Sequence, residues 1–272
     1  MSGEIDSKVL NKLDEWEKDS PPGPIELYIR LMRIQTEAKS QVTVHESRLS
    51  PDSVAERMRL HAPLLTFDDL DLDWSKVENL FREALLAISE YFDSVDPQSD
   101  IPLEDTARAW YEGKPLPKLG IDKDTLYVAL HTALKPFLAA HASVLLKEVD
   151  QKGWRRGYCP ICGGRPNFAF LSKEQEGARW LICARCDAEW LFQRLKCPFC
   201  GIEEQKSLAY FTDDKGKYRV YICERCKSYL KTIDLRKEAS EDVLLPLEWV
   251  ATLDLDRQAY ELGYSAGDLT PA

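Results

Sequence analysis

Apolar residues recur at steps of three and four through much of the first 150 residues, which is the helical period. The clearest run is Asp73–Phe92, and its first residue is the expected N-cap. Pro24 is expected to start an earlier helix. Asp122–Asp124 is expected to open a later one that Pro136 kinks or restarts. The pattern predicts an all-helical N-terminal domain of five or six helices over residues 1–150.

The helical period is lost at Gly153, where short β-type runs with Gly, Pro and aromatic residues begin. These runs are 167–171, 179–182, 189–195, 208–211, 218–222 and 229–235. Asp213–Gly216 has the composition of a hairpin turn. Helical spacing returns after residue 237. The sequence therefore predicts an α+β protein with a β-rich module at 151–237 and a C-terminal helical segment, 238–272, that packs on the N-terminal domain.

All eight cysteines of the chain lie in this module and form four C-x-x-C pairs. The pairs are Cys159/Cys162, Cys183/Cys186, Cys197/Cys200 and Cys223/Cys226. A C-x-x-C turn directs two sulfurs at one point, and two such turns joined by a hairpin supply a tetrahedral S₄ site. Such a site accepts either zinc or a single iron, so the spacing predicts two metal ions without naming the metal.

The module contains an internal repeat. Arg179–Cys186 aligns with Arg219–Cys226 at an offset of 40 residues, and the two Cys-Pro-x-Cys-Gly turns align at an offset of 38. Duplication of one metal ribbon favours sequential pairing of the turns, although a crossed pairing of first with third remains open. Sequential pairing gives a first set and a second set, which are Cys159, Cys162, Cys183 and Cys186, and Cys197, Cys200, Cys223 and Cys226. Three tryptophans are expected to cover these sites, namely Trp154, Trp180 and Trp190.

The cysteine pattern argues against catalysis at the metal. A thioredoxin-type dithiol needs a strand–helix context, whereas these pairs lie in turn-rich β segments. Four thiolates close the coordination sphere and leave no position for an activated water. The four histidines all precede the cysteines, and they are His45, His61, His131 and His141. We therefore predict a non-enzyme with structural or electron-carrying metal sites and no catalytic residues.

Charge and hydropathy restrict partner and compartment. The chain has a net charge of −10, but residues 151–237 hold 18 Lys and Arg against 10 Asp and Glu. The net acidity argues against nucleic-acid binding, while the basic module keeps a zinc-ribbon nucleic-acid-binding regulator as an alternative. The N-terminus has no hydrophobic signal core, and the longest apolar stretch, Phe137–Leu146, is too short to span a bilayer. We expect a cytoplasmic protein that does not insert into membranes.

Several motifs together carry a family resemblance. They are Lys135–Pro136–Phe137–Leu138, Trp154–Arg155–x–Gly157–Tyr158–Cys159–Pro160–x–Cys162–Gly163–x–Arg165–Pro166, Cys183–x–x–Cys186–x–x–Glu189–Trp190, Arg194–x–Lys196–Cys197–x–x–Cys200 and Cys223–x–x–Cys226–x–x–Tyr229–Leu230–Lys231. This combination resembles the formate dehydrogenase accessory protein family, FdhE. The resemblance is specific between about Lys135 and Leu235 and faint in the first hundred residues.

The resemblance implies tandem rubredoxin-like modules in which the eight cysteines are the metal ligands, with iron favoured over zinc. It also implies a cytoplasmic maturation factor or chaperone that contacts the catalytic subunit of formate dehydrogenase. A rubredoxin-like electron-transfer protein is the alternative within this picture, and a homodimer is left open.

Overall fold

The computed structural model describes residues 2–19, 24–42, 44, 46–47, 49–92, 100–237 and 243–267. The chain divides into two compact units. The first is Met1–Ser47 with Thr66–Val144, and the second is Arg48–Leu65 with Leu145–Ala272. This grouping differs from the three-part division expected from the sequence.

Local hydrogen bonds explain why residues 48–65 group with the cysteine-bearing part of the chain. The backbone amides of Leu64 and Leu65 donate to the carbonyls of Pro160 and Ile161, both at 2.8 Å. The Tyr158 hydroxyl donates to the carbonyl of His61 at 2.8 Å. A segment read from the sequence as part of the helical domain is therefore built into the β-rich unit.

Six helices precede the sheet in the described residues. They are α1 Ser2–Asp19, α2 Pro24–Lys39, α3 Pro51–Arg59, α4 Trp74–Ser89, α5 Leu103–Tyr111 and α6 Lys123–Leu145. The predicted start at Pro24 is confirmed, as is the cap of α4, where the Asp73 carboxylate accepts from the Lys76 amide at 3.3 Å. Helix α6 runs through Pro136 without restarting.

The segment Lys123–Glu148 is long and apolar enough to cross a membrane by length and composition. It extends well beyond the apolar stretch expected from the sequence. However, 67% of its most apolar window is buried inside the structure, as in the core helix of a soluble protein.

Seven strands form one mixed sheet in the part of the chain that the structure describes. They are β1 Pro166–Leu171, β2 Arg179–Cys183, β3 Glu189–Phe192, β4 Leu208–Thr212, β5 Tyr218–Cys223, β6 Ser228–Asp234 and β7 Ser265–Ala266. The order is β3-β2-β1-β6-β5-β4, with β7 added to β6. Strands β1–β3 and β4–β6 are two antiparallel ribbons, and the parallel pair β1–β6 joins them into one sheet. All six predicted runs are confirmed, although β3 ends at Phe192.

The C-terminal helices α7 (Leu245–Ala251) and α8 (Leu253–Glu261) pack on this sheet. Their contacts form two apolar clusters, one with Val220, Tyr229, Leu255, Ala259 and Tyr264 and one with Phe168, Phe170, Ile182, Ile233, Val243, Leu245 and Trp249. The helices cover apolar residues that the strands present. The predicted packing of this segment on the N-terminal domain stays a prediction. Residues 238–242 and 268–272 of the predicted segment lie outside the described residues.

Candidate metal centres

The first centre brings together the first two C-x-x-C pairs. Cys159 and Cys162 lie in the loop before β1, Cys183 ends β2, and Cys186 lies in the turn before β3. Three sulfur–sulfur distances are 3.5 Å, namely Cys159–Cys186, Cys162–Cys183 and Cys162–Cys186. All four sulfurs lie within 4.8 Å of one another, and all four residues are buried.

The second centre repeats this arrangement with the other two pairs. Cys197 and Cys200 lie in the loop after β3, Cys223 ends β5, and Cys226 lies in the turn before β6. Cys197–Cys226 and Cys200–Cys223 are each separated by 3.7 Å between sulfurs. The pairing is therefore sequential in space, as the repeat favoured, and the crossed arrangement is not formed.

One backbone turn is used four times to position these sulfurs. The residue after the second cysteine of each pair has a positive φ, at 71° for Gly163, 56° for Asp187, 73° for Gly201 and 53° for Lys227. In each turn the amide of that residue donates to the carbonyl of the first cysteine, at distances from 2.8 to 3.2 Å. The left-handed residue reverses the chain so that both sulfurs face the same point.

Backbone amides also point at the sulfurs. The Ile161 amide donates to the Cys159 sulfur at 3.3 Å, and the Arg185 amide donates to the Cys183 sulfur at 3.4 Å. In the second centre, the backbone amides two and three positions after Cys197 and after Cys223 act to lower the pKa of those thiols, against the larger effect of burial. Such donors stabilise negative charge on sulfur and are typical of thiolate–metal turns.

The donor sets fit a tetrahedral metal ion. A metal–sulfur bond of about 2.3 Å in a regular tetrahedron places the sulfurs about 3.8 Å apart. The observed nearest separations of 3.5 to 3.7 Å lie close to this value. They far exceed the ~2.05 Å of a disulfide bond, and all eight cysteines are free thiols. Each set can therefore hold one ion, and the geometry suits zinc and iron equally.

Without a metal ion, burial opposes the ionisation of most of these thiols. It raises the pKa of Cys159 and of Cys186, because a thiolate loses its hydration in the interior. The pKa of Cys162 is lowered, first by its hydrogen bond with Cys159, and the positive charge of Arg185 adds to this effect. Burial also raises the pKa of Cys197 and of Cys223. A cation between the sulfurs removes this penalty, since metal coordination deprotonates thiols outright.

The two centres differ in how far they are enclosed. Every ligand candidate of the first centre is buried, whereas Cys200 and Cys226 of the second are partly exposed. Trp154 and Trp190 are fully buried in the first ribbon, where their indole nitrogens donate to the carbonyls of Tyr158 and Arg156. We infer that the second centre exchanges its ligands and ion more readily than the first.

The remaining residues considered from the sequence are Trp180 and the histidines. The ring of Trp180 is parallel to that of Phe170, 6.2 Å away, in the apolar cluster that the C-terminal residues join. Neither set includes a histidine within the described residues, and His45 lies outside them. The ring of His61 lies 6.1 Å from Trp154, in the segment that reaches the first ribbon.

Sequence reasoning missed the C-terminal strand at the second centre. The Ser265 amide donates to the carbonyl of Lys227 at 2.9 Å, directly after Cys226. A Cβ on Gly267 would lie 2.0 Å from the ring of Phe199, in the Cys197 turn. Strand β7 is only two residues long, so no periodic pattern could have revealed it.

Comparison with known proteins gives one consistent result. The family model described as "FdhE, central domain" matches residues 158–194, which contain the first cysteine set. A "Protein FdhE homolog" from Aquifex aeolicus is 38% identical over 149 residues, covering 53% of this chain and 51% of the relative. "Protein FdhE" from Shigella boydii is 26% identical over 262 residues, covering 91% of this chain and 82% of the relative.

A solved structure extends the likeness to the fold. The crystal structure of the FdhE protein from Pseudomonas aeruginosa covers 100% of this chain and 97% of its own, with a TM-score of 0.63 and 22% sequence identity. The matched region spans about half the length of several curated relatives, such as 43% of the homolog from Shewanella oneidensis and 51% of that from Aquifex aeolicus. Taken with the central-domain match, these findings show a chain that is similar to FdhE proteins in sequence and in fold.

Proposed function

We propose that the protein is an accessory factor for formate dehydrogenase, binding the catalytic subunit in the cytoplasm through or alongside its two metal ribbons. One observation carries the proposal: a chain similar to FdhE proteins places its eight cysteines in two sets with tetrahedral spacing. In this proposal all eight cysteines are metal ligands, with iron favoured over zinc from the family resemblance.

The site geometry supports assistance in assembly over catalysis by the protein itself. Each set offers four sulfurs to one ion, so no open coordination position remains for a substrate or an activated water. The ion would stabilise its ribbon, because the free energy of metal binding is also folding free energy in such modules. The ribbons would thus form a rigid surface for a client protein.

Genetic and binding experiments test this role. Cells lacking the protein should contain formate dehydrogenase subunits but little activity, and expression of the wild-type chain should restore it. The purified metal-loaded chain should bind the immature catalytic subunit and show no formate oxidation alone. Cys223→Ser, which removes a proposed ligand, should fail to restore activity. The matched control Arg257→Gln, on an exposed helical surface, should restore it. Full formate dehydrogenase activity in cells without the protein would refute the proposal.

A further inference from the structure

The buried arginine of the first ribbon reaches the second metal centre. Arg179 lies on β2, four residues before Cys183, and is only 2% exposed. Its guanidinium donates to the carbonyl of Gln193 and, at 2.5 Å, to that of Lys196, the residue before Cys197. Strand β2 thus carries Cys183, a ligand candidate of the first centre, and Arg179, whose side chain binds the segment 193–196 that leads into the second.

The partners of Arg179 differ from those of its counterpart in the repeat. Arg219, at the equivalent position of the second ribbon, donates to the buried carboxylate of Asp234 at 2.7 Å. Among the described residues, Arg179 has no carboxylate partner and contacts only carbonyls and the rings of Phe192 and Tyr221, at 5.2 and 5.6 Å from their centroids. A buried guanidinium without an anion is costly, and burial lowers the pKa of Arg179 to about 10.

Arg179 shares a cavity with two cysteines of the second set. Arg179 and Cys197 line the same small cavity of about 30 Å³, together with Tyr221 and Cys223. Four thiolates around a divalent ion leave two net negative charges, which a buried cation would stabilise. An exposed arginine, Arg194, lines the same cavity but is solvated.

We propose that Arg179 is a positioning residue for the second metal centre: it fixes the 193–196 linker that delivers Cys197 and supplies the buried positive charge that the tetrathiolate requires. The first ribbon thereby controls metal retention in the second. This inference rests on the proposed function only in requiring that the second cysteine set holds a metal.

The test uses the full-length chain loaded with zinc and titrated with a competing chelator. Cysteine alkylation, mapped by mass spectrometry, reports each set separately. Arg179→Met should expose the second set at a chelator concentration at least tenfold lower than wild type, with the first set unchanged. Arg179→Lys, which keeps the charge, and Arg194→Met, which removes an exposed charge nearby, should stay within threefold of wild type.

A second readout separates charge from packing. In iron-loaded protein, Arg179→Met should lower the reduction potential of one of the two centres, because the reduced site carries one more negative charge, while Arg179→Lys should restore it. If Arg179→Met does not fold, Arg179→Gln replaces it, and the same tenfold change in chelator concentration is expected. A change below tenfold, equal loosening of both sets, or failure of Arg179→Lys to rescue would overturn the inference. Wild-type protein that binds no metal would instead overturn the proposed function.

Discussion

The residue after the second cysteine of each pair has a positive φ. This residue is glycine in two turns and a charged residue, Asp187 or Lys227, in the other two. Glycine enters this region at little cost, whereas other residues are strained there by about 1 kcal/mol. The first turn of each ribbon therefore has the glycine that a positive φ favours, and the second turn does not. Gly163 and Gly201 mark the first turns in the sequence, but the second turns carry no such mark.

Single ligand substitutions test the assignment of the sets. Cys183→Ser should reduce the bound metal from two ions to one, because a structural site of this kind contributes on the order of 10 kcal/mol to the folding of its ribbon. Alkylation should then reach Cys159, Cys162 and Cys186 while the second set stays protected. Cys223→Ser is the mirror control. Equal exposure of both sets in Cys183→Ser would contradict sequential pairing.

Two glycine substitutions should separate steric cost from backbone cost. A Cβ on Gly157 would lie 1.9 Å from the carbonyl oxygen of Pro198, so Gly157→Ala should destabilise the protein by about 3 kcal/mol. A Cβ on Gly201 meets nothing within 4 Å, but its φ is +73°, so Gly201→Ala should cost only about 1 kcal/mol. Chemical denaturation of metal-loaded protein measures both. The reverse order of costs would show that the Gly157–Pro198 contact is not tight.

At the scale of elements, the strands and the larger helices follow from local periodicity, and the missed features do not. Among the α1 residues whose burial is described, only Val9 and Leu13 are buried, and they lie among polar neighbours, which gives a weak helical signal. The segment 48–65 joins the first ribbon through backbone hydrogen bonds to Pro160 and Ile161, and such contacts leave no trace in side-chain pattern. The helices α7 and α8 were expected, but their packing surface was not, because apolar spacing indicates a buried face and not its partner.

The attachment of α8 to β6 depends on a buried charge. The Lys231 ammonium donates to Asp256 at 2.6 Å and to the carbonyls of Trp249 and Thr252, and it is almost fully buried. Asp256→Asn leaves this cation without its anion and should lower the free energy of unfolding by about 3 kcal/mol.

The neighbouring Arg257 provides the control for Asp256→Asn. Its exposed pair with Glu261 has a separation of 4.0 Å, so Arg257→Gln should change stability by less than about 0.5 kcal/mol. Thermal or urea unfolding measures both variants. Similar stabilities for the two would contradict the view that Lys231 and Asp256 hold the C-terminal helices on the sheet.

At the scale of the whole molecule, the two centres belong to one continuous sheet but differ in how deeply their cysteines are buried. The first is buried at every cysteine, and its ribbon holds the fully buried Trp154 and Trp190, while the second is partly open at Cys200 and Cys226. The repeat in the sequence predicted two equivalent ribbons. The difference arises from what packs around each ribbon, and residues distant in the chain supply that packing.

This difference predicts two phases of metal loss. A chelator added to the loaded protein should first remove the ion of the second centre, and the cysteines of residues 197–226 should be alkylated before those of residues 159–186. Rapid mixing with a colorimetric chelator, followed by peptide mapping, measures the order. Release in a single phase, or first from the buried centre, would contradict the inferred difference in access.

The central claim is that each cysteine set encloses one metal ion. The most direct measurement is the metal content and absorption spectrum of the full-length protein purified without oxygen. We predict two ions per chain, and thiolate-to-iron charge-transfer bands if the metal is iron. A reduced, folded and metal-free protein would contradict the account.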